Sequence, residues 1–168
     1  MSAPDVVLVG CTKSKRSARC PARDMYDPSD LFRLRRAYAE ASGRPWAILS
    51  ARLGVVRPER EIDPYNFTIA QRRARDWVPT LWANAVPQAC FELAGRCTVM
   101  GPGGFLVWAD PSLTVEIHAG IDYVRTVELG VVDHYRQVRL TCPTQGLGIG
   151  QQKHWYGLHA SPTLFEVQ

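Results

Sequence analysis

Residues Val6–Lys15 read VVLVGCTKSK, and this stretch decides the fold class. A short apolar run stopped by a glycine is the pattern of a strand covered on both faces, as in a parallel sheet. In an α/β domain the segment after such a strand lies at the sheet's carboxyl edge, where ligands bind. That edge should receive the Cys11 thiol, the Thr12 and Ser14 hydroxyls and the Lys13 and Lys15 ammonium groups. The expected architecture is α/β, a single domain over residues 1–168 with a mainly parallel sheet flanked by helices.

Outward from this strand, the polar stretch Arg16–Asp27 reads as a loop wrapping the rim. Asp27-Pro28-Ser29-Asp30 carries turn and N-cap chemistry for a helix that Ser42-Gly43 ends. Leu31, Phe32, Leu34, Ala37, Tyr38 and Ala41 supply its apolar positions, with Arg33, Arg35, Arg36 and Glu40 opposite. Trp46–Leu49 is a second short buried strand, ending at Ser50-Ala51-Arg52. Leu53–Thr68 reads as a long irregular loop of the kind that carries function. Thr68 can cap a helix from Ile69 to about Leu93, broken by Pro79 and Pro87.

Farther on, TVMG at Thr98–Gly101 is a strand entering a GPGGF turn, and Phe105–Ala109 is a strand or hairpin arm. LTVEIH at Leu113–His118 is a clearer strand, stopping at Ala119-Gly120. Ile121–Val132 fits helix and strand alike, and Val138–Leu140 reads as the last strand. A glycine loop, Pro143–Gly150, leads into a short helix over Gln151–Leu158.

Composition narrows the function classes. A chain of 168 residues with 46% hydrophobic residues can bury a core without staples. A net charge of +4 permits a phosphate-bearing partner without requiring one. No run has membrane-spanning length and the N-terminal MSAPDVVLVG lacks a signal-peptide pattern, so no membrane partner and a cytoplasmic location are expected. The five cysteines form no CxxC pair, which excludes a zinc ribbon or thioredoxin site by pattern, and free thiols are expected. GPGG lacks the Lys-Ser/Thr of a phosphate loop. No metal and no cofactor are expected.

The strand tips hold the candidate chemistry. Lys13 and Lys15 alternate along the backbone, so one should point inward, suited to a phosphate or carboxylate or to a base of depressed pKa. Cys11 is a nucleophile if its lysine neighbours favour the thiolate, and a packing residue otherwise. His118 serves either as a general acid-base or as a hydrogen-bonded structural group, and Gly120 permits close backbone approach. Tyr26, Tyr65 and Tyr123 can stack on a base or fill the core. Asp63 is the leading carboxylate, with an Asp-Pro turn as the alternative. Gln151 can read an amide or base edge, and the loop before it can hold an anion.

Together CTKSK, DMYDPSDLFRLRRAYAE, WAILSARLGVV, PYNFT, IHAGIDYV and GLGIGQQKHWY resemble a family of small bacterial and phage proteins, from Val6 to about Tyr156. That family is distantly similar to the YaaA peroxide-stress proteins, which are associated with DNA binding. The resemblance implies a loose likeness to base-handling enzymes such as glycosylases and transglycosylases. It makes Cys11, Thr12, Lys13, Lys15, Tyr26, Ser50, Tyr65, His118, Gly120, Tyr123 and Gln151 the site candidates. The chain departs from the family where Asn66 follows Tyr65, so a required carboxylate must come from Asp63 or Glu61.

The expected function is therefore an enzyme acting on a nucleobase, nucleoside or nucleotide by N-glycosidic cleavage or base exchange. Lys13, Asp63, His118 and Cys11 are its catalytic candidates; Thr12, Lys15, Tyr26, Ser50, Tyr65, Gly120, Tyr123 and Gln151 are its substrate-binding candidates. One alternative is a non-catalytic DNA- or RNA-binding protein using Arg33, Arg35, Arg36, Arg72, Arg73 and Arg75. Another is a small-molecule biosynthetic enzyme on the same scaffold.

Overall fold

A computed structural model describes the backbone of residues 3–75, 80–104, 106–134 and 137–160. Along the chain run β1 (Val6–Gly10), β2 (Cys20–Pro21), α1 (Ala22–Met25), α2 (Asp30–Ala41), β3 (Trp46–Ser50), β4 (Gly54–Val56) and β5 (Glu61–Ile62). There follow α3 (Ile69–Arg75), α4 (Thr80–Leu93), β6 (Thr98–Met100), β7 (Leu106–Trp108), β8 (Leu113–His118), α5 (Ile121–His134), β9 (Val138–Thr141) and α6 (Ile149–His159).

The main sheet has the order β4-β3-β1-β8-β9. Strands β3, β1, β8 and β9 are parallel and β4 closes one edge antiparallel, so the mainly parallel α/β architecture expected from VVLVG is what forms. β1 lies at the centre, with Val9 in register with Ile48 on one side and His118 on the other. Val6 and Leu8 pack with Val86, Phe91, Val124 and Val127 beneath α4 and α5. Val7 and Val9 face the opposite way, onto Met25, Tyr26, Phe32 and Ala39. Each such side chain removed from water contributes up to about 1.5–3 kcal/mol. This two-sided burial is why β1 reads as an unbroken apolar run.

The chain leaves β1 toward β3 by way of α2, and leaves β8 toward β9 by way of α5 on the other face. The direction of winding reverses between β1 and β8, and the two strand ends separate loops that go opposite ways. Their carboxyl ends therefore flank a switch-point crevice. Gly10 is required there by space. A Cβ on Gly10 would lie 2.6 Å from the Cβ of Ala119, just past the end of β8.

Several local expectations change. Arg16–Asp27 is not a solvated loop: it contains β2 and α1, and Ala22, Met25 and Tyr26 are buried. Leu53–Thr68 likewise holds β4 and β5, of which β5 pairs with β2 as a small separate ribbon. Strands of two or three residues are too short to leave a periodic trace. Ile121–His134 resolves as helix, packed on α4. α4 continues through Pro87, while Pro79 lies outside the described residues. β6 and β7 form the hairpin expected around GPGGF, its turn using Gly103 and Gly104 at φ 85° and 80°. On α2, Ser29 caps as expected, its Oγ accepting the Phe32 N–H at 3.3 Å. The buried stripe, however, is Phe32, Arg35 and Ala39. Arg35, expected on the polar face, is inside.

Candidate functional site

Three adjacent parallel strands, β3, β1 and β8, bring Ser50, Cys11 and Ala119-Gly120 to one rim. The Cys11 N–H donates to the Leu49 carbonyl at 3.0 Å, extending the β1–β3 pairing one residue past the strand and fixing the thiol's direction. Its Sγ lies 3.1 Å from the Tyr123 hydroxyl, delivered by the first turn of α5. Beside this pair the Tyr65 hydroxyl joins those of Tyr26, at 2.7 Å, and Ser50, at 2.6 Å. Ser50 Oγ also accepts the Leu53 N–H at 3.0 Å, locking the turn after β3. Burial first, and then the nearby Cys11, push the Tyr26, Tyr65 and Tyr123 phenols well above their usual range. They are neutral hydroxyls, not phenolates.

Lys15 closes this cluster. Its Nζ donates to the carbonyls of Thr12, at 2.9 Å, and Lys13, at 3.3 Å. It also stands 4.5 Å from the centre of the Tyr65 ring, within cation–π range. Burial lowers its pKa below the ordinary lysine value, opposed by Cys11. Of the alternating lysines, Lys15 is the half-buried one and Lys13 is exposed, although both border one cleft of about 190 Å³. Cys11, Thr12, Phe67 and Tyr123 complete its chemically distinctive walls.

A second cleft, of about 320 Å³, opens on the β8 side of the rim. Gly120 and Ile121 form one lip, where α5 begins; Gly146, Leu147, Gly148 and Gln152 form the other, where α6 begins. Gln151 does not present its amide to this space. Its Oε1 accepts the Gly148 N–H at 2.9 Å and caps α6, while its neighbour Gln152 lines the wall.

His118 is wholly buried and borders neither cleft. Its Nε2 lies 2.8 Å from Glu116 Oε1 and its Nδ1 lies 2.7 Å from the Tyr156 hydroxyl. Glu116 accepts a further hydrogen bond from Tyr38 at 2.7 Å. Desolvation depresses the His118 pKa, opposed by Glu116 and assisted by Arg35. Glu116 is pushed up by burial, but its hydrogen bonds from His118 and Tyr38 prevail and hold it below the usual carboxylate range. His118 is buried with both ring nitrogens engaged, by Glu116 and Tyr156, so of its two expected roles the geometry fits the hydrogen-bonded one.

Asp63 is not brought to the Cys11–Lys15 cleft. It is exposed in a separate hollow with Arg52, Arg60, Glu61 and Tyr65. The arginines of the alternative reading are largely engaged. Arg36 pairs with Asp27 at 2.9 Å and Asp24 at 3.2 Å, and Arg33 pairs with Asp30. Arg72 donates to the carbonyls of Ala51 and Arg52, each at 2.6 Å, bracing the turn after β3. The side chains of Arg73 and Arg75 lie outside the described residues. Among the described residues no group of three or more histidines, cysteines or carboxylates could hold a metal ion, and all five cysteines are free thiols.

Sequence reasoning missed Glu116 and Tyr156; it placed Arg35 on a surface face and Gln152 only beside Gln151 at the tip of the glycine loop. Glu116 was open to discovery, because it lies two residues from His118 on a strand and shares its face. Arg35 was not, because an arginine among apolar positions on a helix ordinarily faces water.

The fold and rim define a doubly wound α/β protein with a polar crevice at its switch point. The chain belongs to a family of unknown function, DUF6884, whose model matches residues 6–158. No curated protein and no solved structure matches it.

Proposed function

We propose that the protein is an enzyme acting on a nucleobase, nucleoside or nucleotide bound at the switch-point rim. The observation that carries this reading is the meeting of Lys15, the Cys11–Tyr123 pair and the Phe67 ring around one cleft. Flat aromatic walls suit a base, and a half-desolvated ammonium suits an anionic or electron-rich group. The Cys11, Tyr123, Tyr65, Tyr26 and Ser50 cluster adds protons and lone pairs within hydrogen-bond reach of one another. The engaged state of Arg33, Arg36 and Arg72 favours this reading over non-catalytic binding of a nucleic-acid backbone.

Hydrolysis of an N-glycosidic bond is the reaction proposed. The C1′–N bond breaks, water adds its oxygen to C1′, and the departing nitrogen takes up a proton. Lys15 and the hydroxyl cluster would deliver that proton to the base. Asp63 lies in a separate hollow and no carboxylate among the described residues lines the cleft, so the cationic sugar would be met by the neutral oxygens of Thr12 and Tyr123.

Thermal shift against free bases, nucleosides and nucleotides at low and high salt tests binding, and chromatography of released base tests reaction. The expected result is a stabilisation that persists in high salt and weakens at least tenfold in affinity in Lys15→Ala. Stabilisation only by oligonucleotides, abolished by salt, would establish backbone binding instead. Asp63→Asn should release base at the wild-type rate, because Asp63 stands outside the cleft, and a large loss would place the reaction in its hollow instead.

A further inference from the structure

Arg35 is 4% exposed, in the middle of α2. A guanidinium stays charged in any folded protein, so placing one inside is costly unless an anion or a full set of acceptors meets it. Neither is present among the described residues. Nη2 donates to Gln152 Oε1 at 2.9 Å, and the other polar group that favours the charge is the Tyr156 hydroxyl; both are neutral. Nε is buried with no hydrogen-bond partner. The ionisable groups that act favourably on Arg35 are Tyr156 and Cys11, not a carboxylate. Glu116 belongs to the same buried network but is bound by His118 and Tyr38, and Tyr156 and His118 intervene between it and Arg35.

The guanidinium ends on Gln152, which is part of the wall of the 320 Å³ cleft. Among the described residues, no charged side chain lines that cleft. Its two lips are the starts of α5, of 14 residues, and α6, of 11 residues, and its rim includes Gly120, Gly146 and Gly148. Helix starts turn unpaired N–H groups and positive partial charge outward, and glycines let an anion approach the backbone closely. An uncompensated buried cation thus stands behind a neutral, amide-rich opening. Gln152 is the hinge between them: its Nε2 donates to the Leu147 carbonyl at 2.8 Å while its Oε1 occupies Arg35.

We propose that this second cleft binds the phosphate group of a nucleotide substrate, with Arg35 as its principal cation. An entering phosphate oxygen replaces the Gln152 carbonyl on Arg35 and provides the acceptor that Nε lacks. Gln152 keeps its bond to Leu147. The base then lies toward Phe67 and Tyr123 in the neighbouring cleft, on the other side of the start of α5. What the phosphate is attached to rests on the function proposed above; the anion site itself does not.

The test uses the full chain and three probes: inorganic phosphate, a nucleoside 5′-monophosphate and the corresponding nucleoside. Phosphate should raise the melting temperature relative to chloride at equal ionic strength, and the monophosphate should bind at least tenfold more tightly than the nucleoside. Arg35→Met should abolish both differences. Arg35→Lys, a point charge without the planar fork, should bind phosphate at intermediate affinity. If Arg35→Met does not fold, the lysine variant and the wild-type ion comparison decide. Equal melting temperatures in phosphate and chloride would overturn the anion site, and so would phosphate binding undiminished in either variant. Nucleoside binding without any phosphate effect would leave the base-directed reading standing and remove the phosphate site. Phosphate binding with no response to nucleoside or nucleotide would do the reverse.

Discussion

His118 Nε2 lies 2.8 Å from Oε1 of Glu116, two residues back on the same face of β8. An ionised carboxylate only accepts, so Nε2 carries the proton; in the neutral imidazole Nδ1 is then the acceptor, and Tyr156 donates to it. The result is a directed chain from Tyr156 through His118 to Glu116, shielded from water. Protonating His118 would place a second donor on Nδ1, opposite a hydroxyl already oriented to donate.

Acid should therefore destabilise the protein in two stages. Desolvation chiefly holds the folded His118 below its ordinary 6.5, so the unfolded chain takes up a proton first. Stability is complete above that value and declines as pH falls toward the lower folded value. Glu116, held below its ordinary 4.5, adds a second loss beneath that point. A tenfold difference in proton affinity between the folded and unfolded chain corresponds to about 1.4 kcal/mol. Urea unfolding at pH 7.5, 6 and 5 should show the decline, and His118→Gln should flatten its upper part. A constant unfolding free energy from pH 7.5 to 5 would contradict the assignment.

Gly10→Ala should cost roughly 1–3 kcal/mol by overpacking the junction of β1 and β8. The added methyl would meet both the Cβ and the Cα of Ala119, and backbone cannot rotate aside as a long side chain can. Pairing it with Ala119→Gly should recover part of the loss, because one of the two colliding atoms is then gone. Chemical denaturation of the single and double variants measures this coupling. An unchanged midpoint for Gly10→Ala would mean that the strand ends are farther apart.

How far the sequence could be read follows from the same residues. VVLVG identified the central strand because double-sided burial leaves no polar interruption, and a parallel sheet followed from it. The tips after β1, β3 and β8 could be placed on one edge for that reason alone. Arg35 could not be found by the same logic. α2 packs on both β1 and α6, so of the expected apolar positions Phe32 is buried and Leu31, Leu34 and Tyr38 are half-buried, while Arg35 and Ala39 are buried beside them. The aliphatic stem of an arginine can sit in such a contact, and composition does not reveal where its head goes. Asp63 failed to join the rim cleft for a different reason: the two-residue pairing of β5 with β2 aims that loop elsewhere, and so short a ribbon has no sequence signature.

Tyr65→Phe should destabilise the fold by about 1–3 kcal/mol, since it strips a shared partner from the buried Tyr26 and Ser50 hydroxyls. The ring itself is conserved in shape, so its packing and the Lys15 contact survive. The loss should be smaller in a Tyr26→Phe background, where one of the stranded hydroxyls is already absent. A double-variant cycle by urea denaturation provides the reading, and strict additivity would count against a connected cluster.

Thiol labelling tests the core and the rim cleft together, because only the thiolate reacts and burial suppresses it. Burial pushes Cys90 up to about 12 and Cys142 up to about 11, whereas Cys97 is exposed and Cys11 borders the rim cleft. Native protein treated with iodoacetamide near pH 8 should label at Cys97 first, with Cys90 resisting until urea unfolds the chain. Cys11 should label at a measurable rate, and a nucleoside bound beside Tyr123 should slow it without changing Cys97. Peptide mapping by mass spectrometry separates the sites. Cys90 labelling as fast as Cys97 in native protein would contradict the packing under α4, and a bound nucleoside that left the Cys11 rate unaltered would move the base out of the cleft around Lys15.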